Sequence, residues 1–166
     1  KGFSLKGFHA VFGGDLPVGS GLSSSAALEC GLAVALNDFN SFHISKKDIA
    51  FMCQKAEHTF PGMQCGIMDQ YASMFGEKET ILLLDCLHIE SKKIKFPLSK
   101  FQIVLFNSNV KHALEDGAYN TRRTQGEEGL SIIKKKFPQT LHFRDATMEQ
   151  LSVVKNEMHQ DVYKRC

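Results

Sequence analysis

The chain has 166 residues, 43% of them hydrophobic and 23% charged, the proportions of an ordinary folded domain, which exclude disorder and collagen-like structure. Twenty Lys and Arg against eighteen Asp and Glu leave a formal charge of +2, too small for a protein whose affinity rests on neutralising nucleic-acid phosphates. No apolar run reaches the roughly 18 residues of a membrane span and no stretch reads as a signal peptide. The five scattered cysteines, without a C-x-x-C pair or zinc-like spacing, read as reduced thiols of a cytoplasmic protein.

In chain order, residues 8–16 are apolar around Gly13-Gly14 and predict a strand ending at Asp15-Leu16-Pro17. A glycine- and serine-rich stretch, 17–25, leads into residues 26–36, which are apolar at every helical offset. That pattern predicts a buried helix opened by serine caps. Ser45 is placed to cap a second helix from Lys46 to about His58, with Ile49, Ala50, Cys53 and Ala56 at helical spacing. Pro61-Gly62 breaks the chain, and a short helix is expected from Cys65 or Gly66 to Phe75. Strand formers then cluster at 80–85, 89–96 and 101–107. A polar helix is expected over 115–136, ended by Phe137-Pro138, a further helix begins at Thr147, and Tyr163 to Cys166 reads as the middle of a helix. The order lacks the regular alternation of a doubly wound sheet, so the fold class is α+β.

The most specific stretch is Pro17-Val18-Gly19-Ser20-Gly21-Leu22-Ser23-Ser24-Ser25-Ala26. Two glycines let the backbone turn tightly and approach a ligand closely. The free amides of a helix start, with the positive end of the dipole, form a cradle for phosphate. Three hydroxyls add donors, and one of them is a candidate metal ligand. The stretch is not a P-loop, which needs a Lys after its last glycine. Nor is it a nucleophile elbow, since Gly21-Leu22-Ser23-Ser24-Ser25 ends in serine. A plain capped helix after a glycine turn is the bland alternative.

Asp69 lies in Cys65-Gly66-Ile67-Met68-Asp69-Gln70, an acid among apolar neighbours at a helix start. It either suits the dipole or orients the proton of a hydroxyl. Glu57 stands near the end of its helix, where a carboxylate opposes the dipole. Taken alone it reads as a solvated surface acid, although a cation would also explain it, since Mg²⁺ takes one or two carboxylates with phosphate oxygens and water. Tyr119, in Tyr119-Asn120-Thr121-Arg122-Arg123, is either a donor to a sugar hydroxyl or a packing residue. His58 and His112 read as structural.

Together and in this order, these segments resemble the galactokinases of the GHMP small-molecule kinase superfamily. Residues 17–26 are similar to that superfamily's phosphate-binding motif, P-x-G-x-G-L-S-S-S-A. Ala56-Glu57-His58-x-Phe60, Gly66-Ile67-Met68-Asp69-Gln70, Asn107-Ser108-Asn109 and Tyr119-Asn120-x-Arg122-Arg123 narrow the likeness to galactokinases. The resemblance implies most of a ribosomal-S5-like N-terminal lobe over residues 1–100 and the start of a C-terminal α/β lobe over 101–166. It implies ATP bound by Gly19, Ser20, Gly21, Leu22, Ser23, Ser24 and Ser25, and Mg²⁺ held by Ser25 and Glu57. Asp69 would stand at the sugar O1 hydroxyl as catalytic base or electrostatic anchor, with Gly66, Asp69 and Tyr119 as substrate contacts.

The implied reaction is ATP-dependent phosphorylation of α-D-galactose at O1, with galactose and ATP as the small-molecule partners and neither nucleic acid nor membrane among them. An N-acetylgalactosamine kinase, another GHMP kinase, and a non-enzymatic sugar and ATP sensor share the central motifs and stay open as alternatives. The family's sugar signature, G-R-x-N-L-I-G-E-H-x-D-Y, and its glycine motif of the G-G-G-F-G-G-C type do not occur in the sequence. The expectation is therefore an internal piece of a two-lobed enzyme, unable by itself to phosphorylate galactose and prone to self-association through uncovered apolar surface.

Overall fold

The computed structural model describes residues 4–106 and 115–166. The chain folds as two compact units, Lys1–His112 and Ala113–Cys166.

The first unit is built on three helices and a hairpin: α1 (Ser24–Phe39), α2 (Lys46–Thr59), α3 (Met68–Phe75), β1 (Thr80–Asp85) and β2 (Glu90–Lys95). α2 begins where expected, because Ser45 Oγ accepts from the Asp48 amide at 3.1 Å and satisfies one of the orphan donors of the first turn. Between α1 and α2, Asn37 braces the loop: its Nδ2 donates to the Ile44 carbonyl at 3.3 Å and its Oδ1 accepts from the Ile44 amide at 2.8 Å. α3 starts at Met68, later than the expected Cys65 or Gly66.

β1 and β2 pair antiparallel, with Thr80 opposite Lys95 and Asp85 opposite Glu90. The alternation of β1 turns Leu82 and Leu84 toward the helices and leaves Ile81 and Leu83 exposed. With Ile89 they cover a core of Cys30, Ile49, Ala50, Cys53, Ile67, Tyr71 and Met74. The Tyr71 hydroxyl reaches Ser91 Oγ of β2 at 3.1 Å, and the Tyr71 ring stacks on Phe75. Its polar tip thus meets a partner while the ring is buried.

Four expectations fail. Residues 8–16 and 101–106 form no strand, although their composition favours one, and Asn107 lies outside the described residues. Neither stretch has a ladder partner among the described residues, and an unpaired strand leaves its amides and carbonyls unsatisfied. Val11, Phe12, Ile103 and Phe106 are accordingly exposed. α1 is not buried all round: Ala26 and Cys30 enter the core, while Leu28, Val34 and Phe39 face outward. Nor does a serine side chain cap it, because the residue at the cap, Ser23, is left-handed.

The second unit holds α4 (Glu115–Lys136), α5 (Met148–Val154) and α6 (Gln160–Arg165), with short 3₁₀ turns at Phe143–Asp145 and Lys155–Glu157. Thr147 closes a capping box with Gln150, as the Thr147 start predicts. Ile133, Leu151 and Val154 form its core, flanked by Phe137, Met158 and Tyr163. Gly129 is where α4 meets α6: a Cβ there would collide with Cys166 Sγ. The basic run Lys134 to Lys136 ends α4, where positive charge suits the dipole, and Lys136 pairs with Glu157 at 3.3 Å. Among the described residues no helix is long and apolar enough to cross a membrane.

Candidate functional site

The loop before α1 is shaped by three left-handed residues: Gly19 and Gly21, each at φ 74°, and Ser23 at φ 55°. Glycine adopts this conformation freely, whereas Ser23 does so at some cost. Ser20 Oγ donates to the Pro17 carbonyl at 2.7 Å and closes the turn. The side chain of Ser23 makes no capping hydrogen bond, and no acid stands in the first turn of α1. The first amides of α1 therefore keep their positive end uncompensated, the condition for receiving an anion. A Cβ on Gly19 or Gly21 would meet nothing within 4 Å, so the glycines serve the backbone turn rather than packing. Ser24 and Ser25 border an open groove of about 630 Å³. Its other walls include Phe12, Leu16, Val18 and Leu28.

Glu57 departs from the surface acid that its sequence position suggests. It is only 5% exposed, on the inner side of α2. No hydrogen bond or ion pair reaches its side chain among the described residues. Glu29 of α1, a residue that sequence reasoning missed, lies close enough to feel its charge. Burial first, and then the charge of Glu57, push the Glu29 carboxyl up to about 7. Its Oε2 is fully buried with no hydrogen-bond partner. Helical spacing held the signal, since Glu29 follows Ser25 by one turn.

Burial also pushes the neighbouring Cys53 thiol up to about 12 and raises that of Cys30. Both stay protonated and are poor metal ligands. No group of three His, Cys, Asp or Glu among the described residues is arranged to hold a metal by itself. A hydroxyl with one or two carboxylates fits the sparse, hard-oxygen set of Mg²⁺, which leaves places for phosphate and water.

Asp69 occupies the first turn of α3, half-buried, and its side chain has no hydrogen bond or ion pair among the described residues. What fixes the approach to it comes from α2. Gln54 Nε2 donates to the Cys65 carbonyl at 3.1 Å, and His58 Nε2 lies 2.8 Å from the same oxygen. Cys30 Sγ of α1 reaches the Gln70 carbonyl at 3.8 Å. The segment that carries Asp69 is thus tied to both other helices. Gln70 itself is 1% exposed, and its Oε1 has no partner.

Gly66 is exposed, and a Cβ on it would meet nothing within 4 Å. Tyr119 is 41% exposed on α4, in the other unit. Asn107, Ser108, Asn109 and His112 lie outside the described residues. The first unit thus brings the loop, Glu29 and Glu57 onto α1 and α2, with Asp69 on the helix they brace.

The sequence pattern of the GHMP kinases N terminal domain matches residues 1–77. The chain is 37% identical to a galactokinase of Thermotoga maritima over 151 residues, 91% of this chain and 42% of that protein. It is 42% identical to a galactokinase of Clostridium acetobutylicum over 129 residues, 78% of this chain and 33% of that protein. Among solved structures it resembles Lactococcus lactis galactokinase complexed with galactose, with a TM-score of 0.75 and 26% identity over 92% of this chain and 39% of the other. The chain therefore spans about two-fifths of the length of the curated relatives it matches. The α+β arrangement of its first unit is that of the GHMP kinase N-terminal lobe. On these likenesses the chain belongs to the GHMP kinases, in their galactokinase family.

Proposed function

We propose that a protein of the length of these relatives, carrying this chain, transfers the γ-phosphoryl group of ATP to O1 of α-D-galactose. The observation that carries the reading is the entry to α1: a loop with left-handed Gly19, Gly21 and Ser23 opening an uncapped helix end. Gly19 to Ser25 would bind the phosphates through backbone amides and hydroxyls. Ser25 and Glu57 would hold Mg²⁺, which when bound supplies neutralising charge on the phosphate oxygens. Asp69 would accept or orient the proton of the attacking hydroxyl, with Gly66 and Tyr119 against the sugar. Residues 1–100 would be part of the nucleotide- and sugar-binding lobe and 101–166 the start of the second lobe, in a cytoplasmic enzyme.

The test is a coupled ADP-release assay on the complete protein with galactose, and separately with N-acetylgalactosamine. Turnover with galactose is expected. Turnover with the N-acetylated sugar alone would shift the substrate, and nucleotide binding without turnover would favour a sensor. Ser25→Ala and Glu57→Ala should each cost tens- to hundreds-fold in rate, on the order of 2–3 kcal/mol. Their combined loss should be less than additive if both act through one ion. Fully additive losses would separate the two residues.

A further inference from the structure

We propose that Glu29 is a positioning residue of the cation site, a second carboxylate that stands behind Glu57 and strengthens its hold on a divalent ion. The inference rests on the phosphoryl-transfer reading above. Glu29 lies one helical turn after Ser25 on α1, close enough to Glu57 of α2 for the two charges to act on each other. Glu57 is nineteen-twentieths buried, with no hydrogen bond or ion pair to its side chain among the described residues, and the half-buried Glu29 has a buried Oε2 without a hydrogen-bond partner.

A buried carboxylate with a second, half-buried one close by opposes folding unless a proton or a cation offsets them. Among the described residues no side chain offsets them. His58, next to Glu57, is engaged with the Cys65 carbonyl, and Lys55 lies on an outward groove with Phe51 and Phe60. The thiols of Cys30 and Cys53, which lie close to Glu29, are neutral. A packing role does not explain Glu29 either, since an apolar side chain would fill the space without an orphaned oxygen. A cation held at Ser25 and Glu57 would face both carboxylates, and the outer one would orient and enrich the inner.

Mn²⁺, followed by electron paramagnetic resonance in the presence of ADP, reads this on the full chain without turnover. Glu29→Gln should weaken Mn²⁺ binding roughly tenfold or more. Its melting temperature at pH 8 should not fall, because the amide keeps the shape and removes the like charge. Glu29→Asp should retain more affinity than Glu29→Ala. The inference is overturned if Glu29→Gln leaves Mn²⁺ affinity unchanged while Glu57→Gln lowers it, or if the Asp and Ala variants bind alike. If neither Glu57→Gln nor Ser25→Ala changes Mn²⁺ affinity, the phosphoryl-transfer assignment of those residues fails first and takes this inference with it.

Discussion

His58 of α2 holds the carbonyl of Cys65, with Nε2 2.8 Å from the oxygen. A carbonyl can only accept, so Nε2 carries the proton and the tautomer is fixed by the bond. Gln54 donates to the same oxygen, and the pair sets where the chain enters α3, one turn before Asp69. His58→Ala should lose about 1 kcal/mol of stability from the missing bond. In the complete protein it should lower kcat more than it weakens nucleotide binding, because the disturbance falls on the Asp69 side. Equal effects on both would place His58 in general packing.

The glycines divide into two kinds, which a pair of substitutions separates. Gly21 is left-handed, so Gly21→Ala should strain the loop by about 1–2 kcal/mol and weaken nucleotide binding. Gly66 has an ordinary backbone and open space around it, so Gly66→Ala should leave the melting temperature unchanged. If Gly66 faces the sugar, the same variant raises the KM for galactose in the complete protein. An unchanged KM would remove it from the sugar site.

Asp69→Asn keeps size and hydrogen bonding but removes the charge and the proton acceptor. In the complete protein kcat should fall far more than ATP affinity, measured separately. The isolation of the carboxylate, with no ion pair among the described residues, motivates this expectation. A variant with near-normal kcat would leave Asp69 as a helix-dipole residue.

Stability should depend on pH through Glu29. Its carboxyl is raised from 4.5 to about 7, by burial first and by Glu57 second. Between those values the folded chain keeps a proton that the unfolded chain has lost. Stability therefore falls as pH rises through this window, and the loss is complete above it. Melting temperatures from pH 4 to 8 should show the decline in the wild type and a flatter profile in Glu29→Gln. Parallel profiles would refute the assignment.

Local chemistry was legible from sequence and tertiary pairing was not. Ser45 and Thr147 announce their helices because a cap is a contact within three residues. β1 and β2 were legible because alternation and a short turn pair them locally. Residues 8–16 and 101–106 carry the same strand signal, yet a strand exists only with a neighbour, which composition does not supply. At the site, the glycine spacing foretold the left-handed loop but not the absence of a serine cap, since that depends on the φ of Ser23. Glu57 looked like a surface acid because its burial arises from helix packing. Glu29 was hidden in an apolar run, and only the meeting of α1 with α2 shows what it faces.

α1 begins at the loop and, two turns on, seats Cys30 among α2 and α3. Its outer side, with Leu28 and Val34, is exposed. A molecule bound at the loop would therefore act as a second fastener for this helix, adding RT ln(1 + [L]/Kd) to whatever the core supplies. Its mark would be slower amide exchange along α1 and across the backbone that Cys30 touches on α3, well away from the bound phosphates.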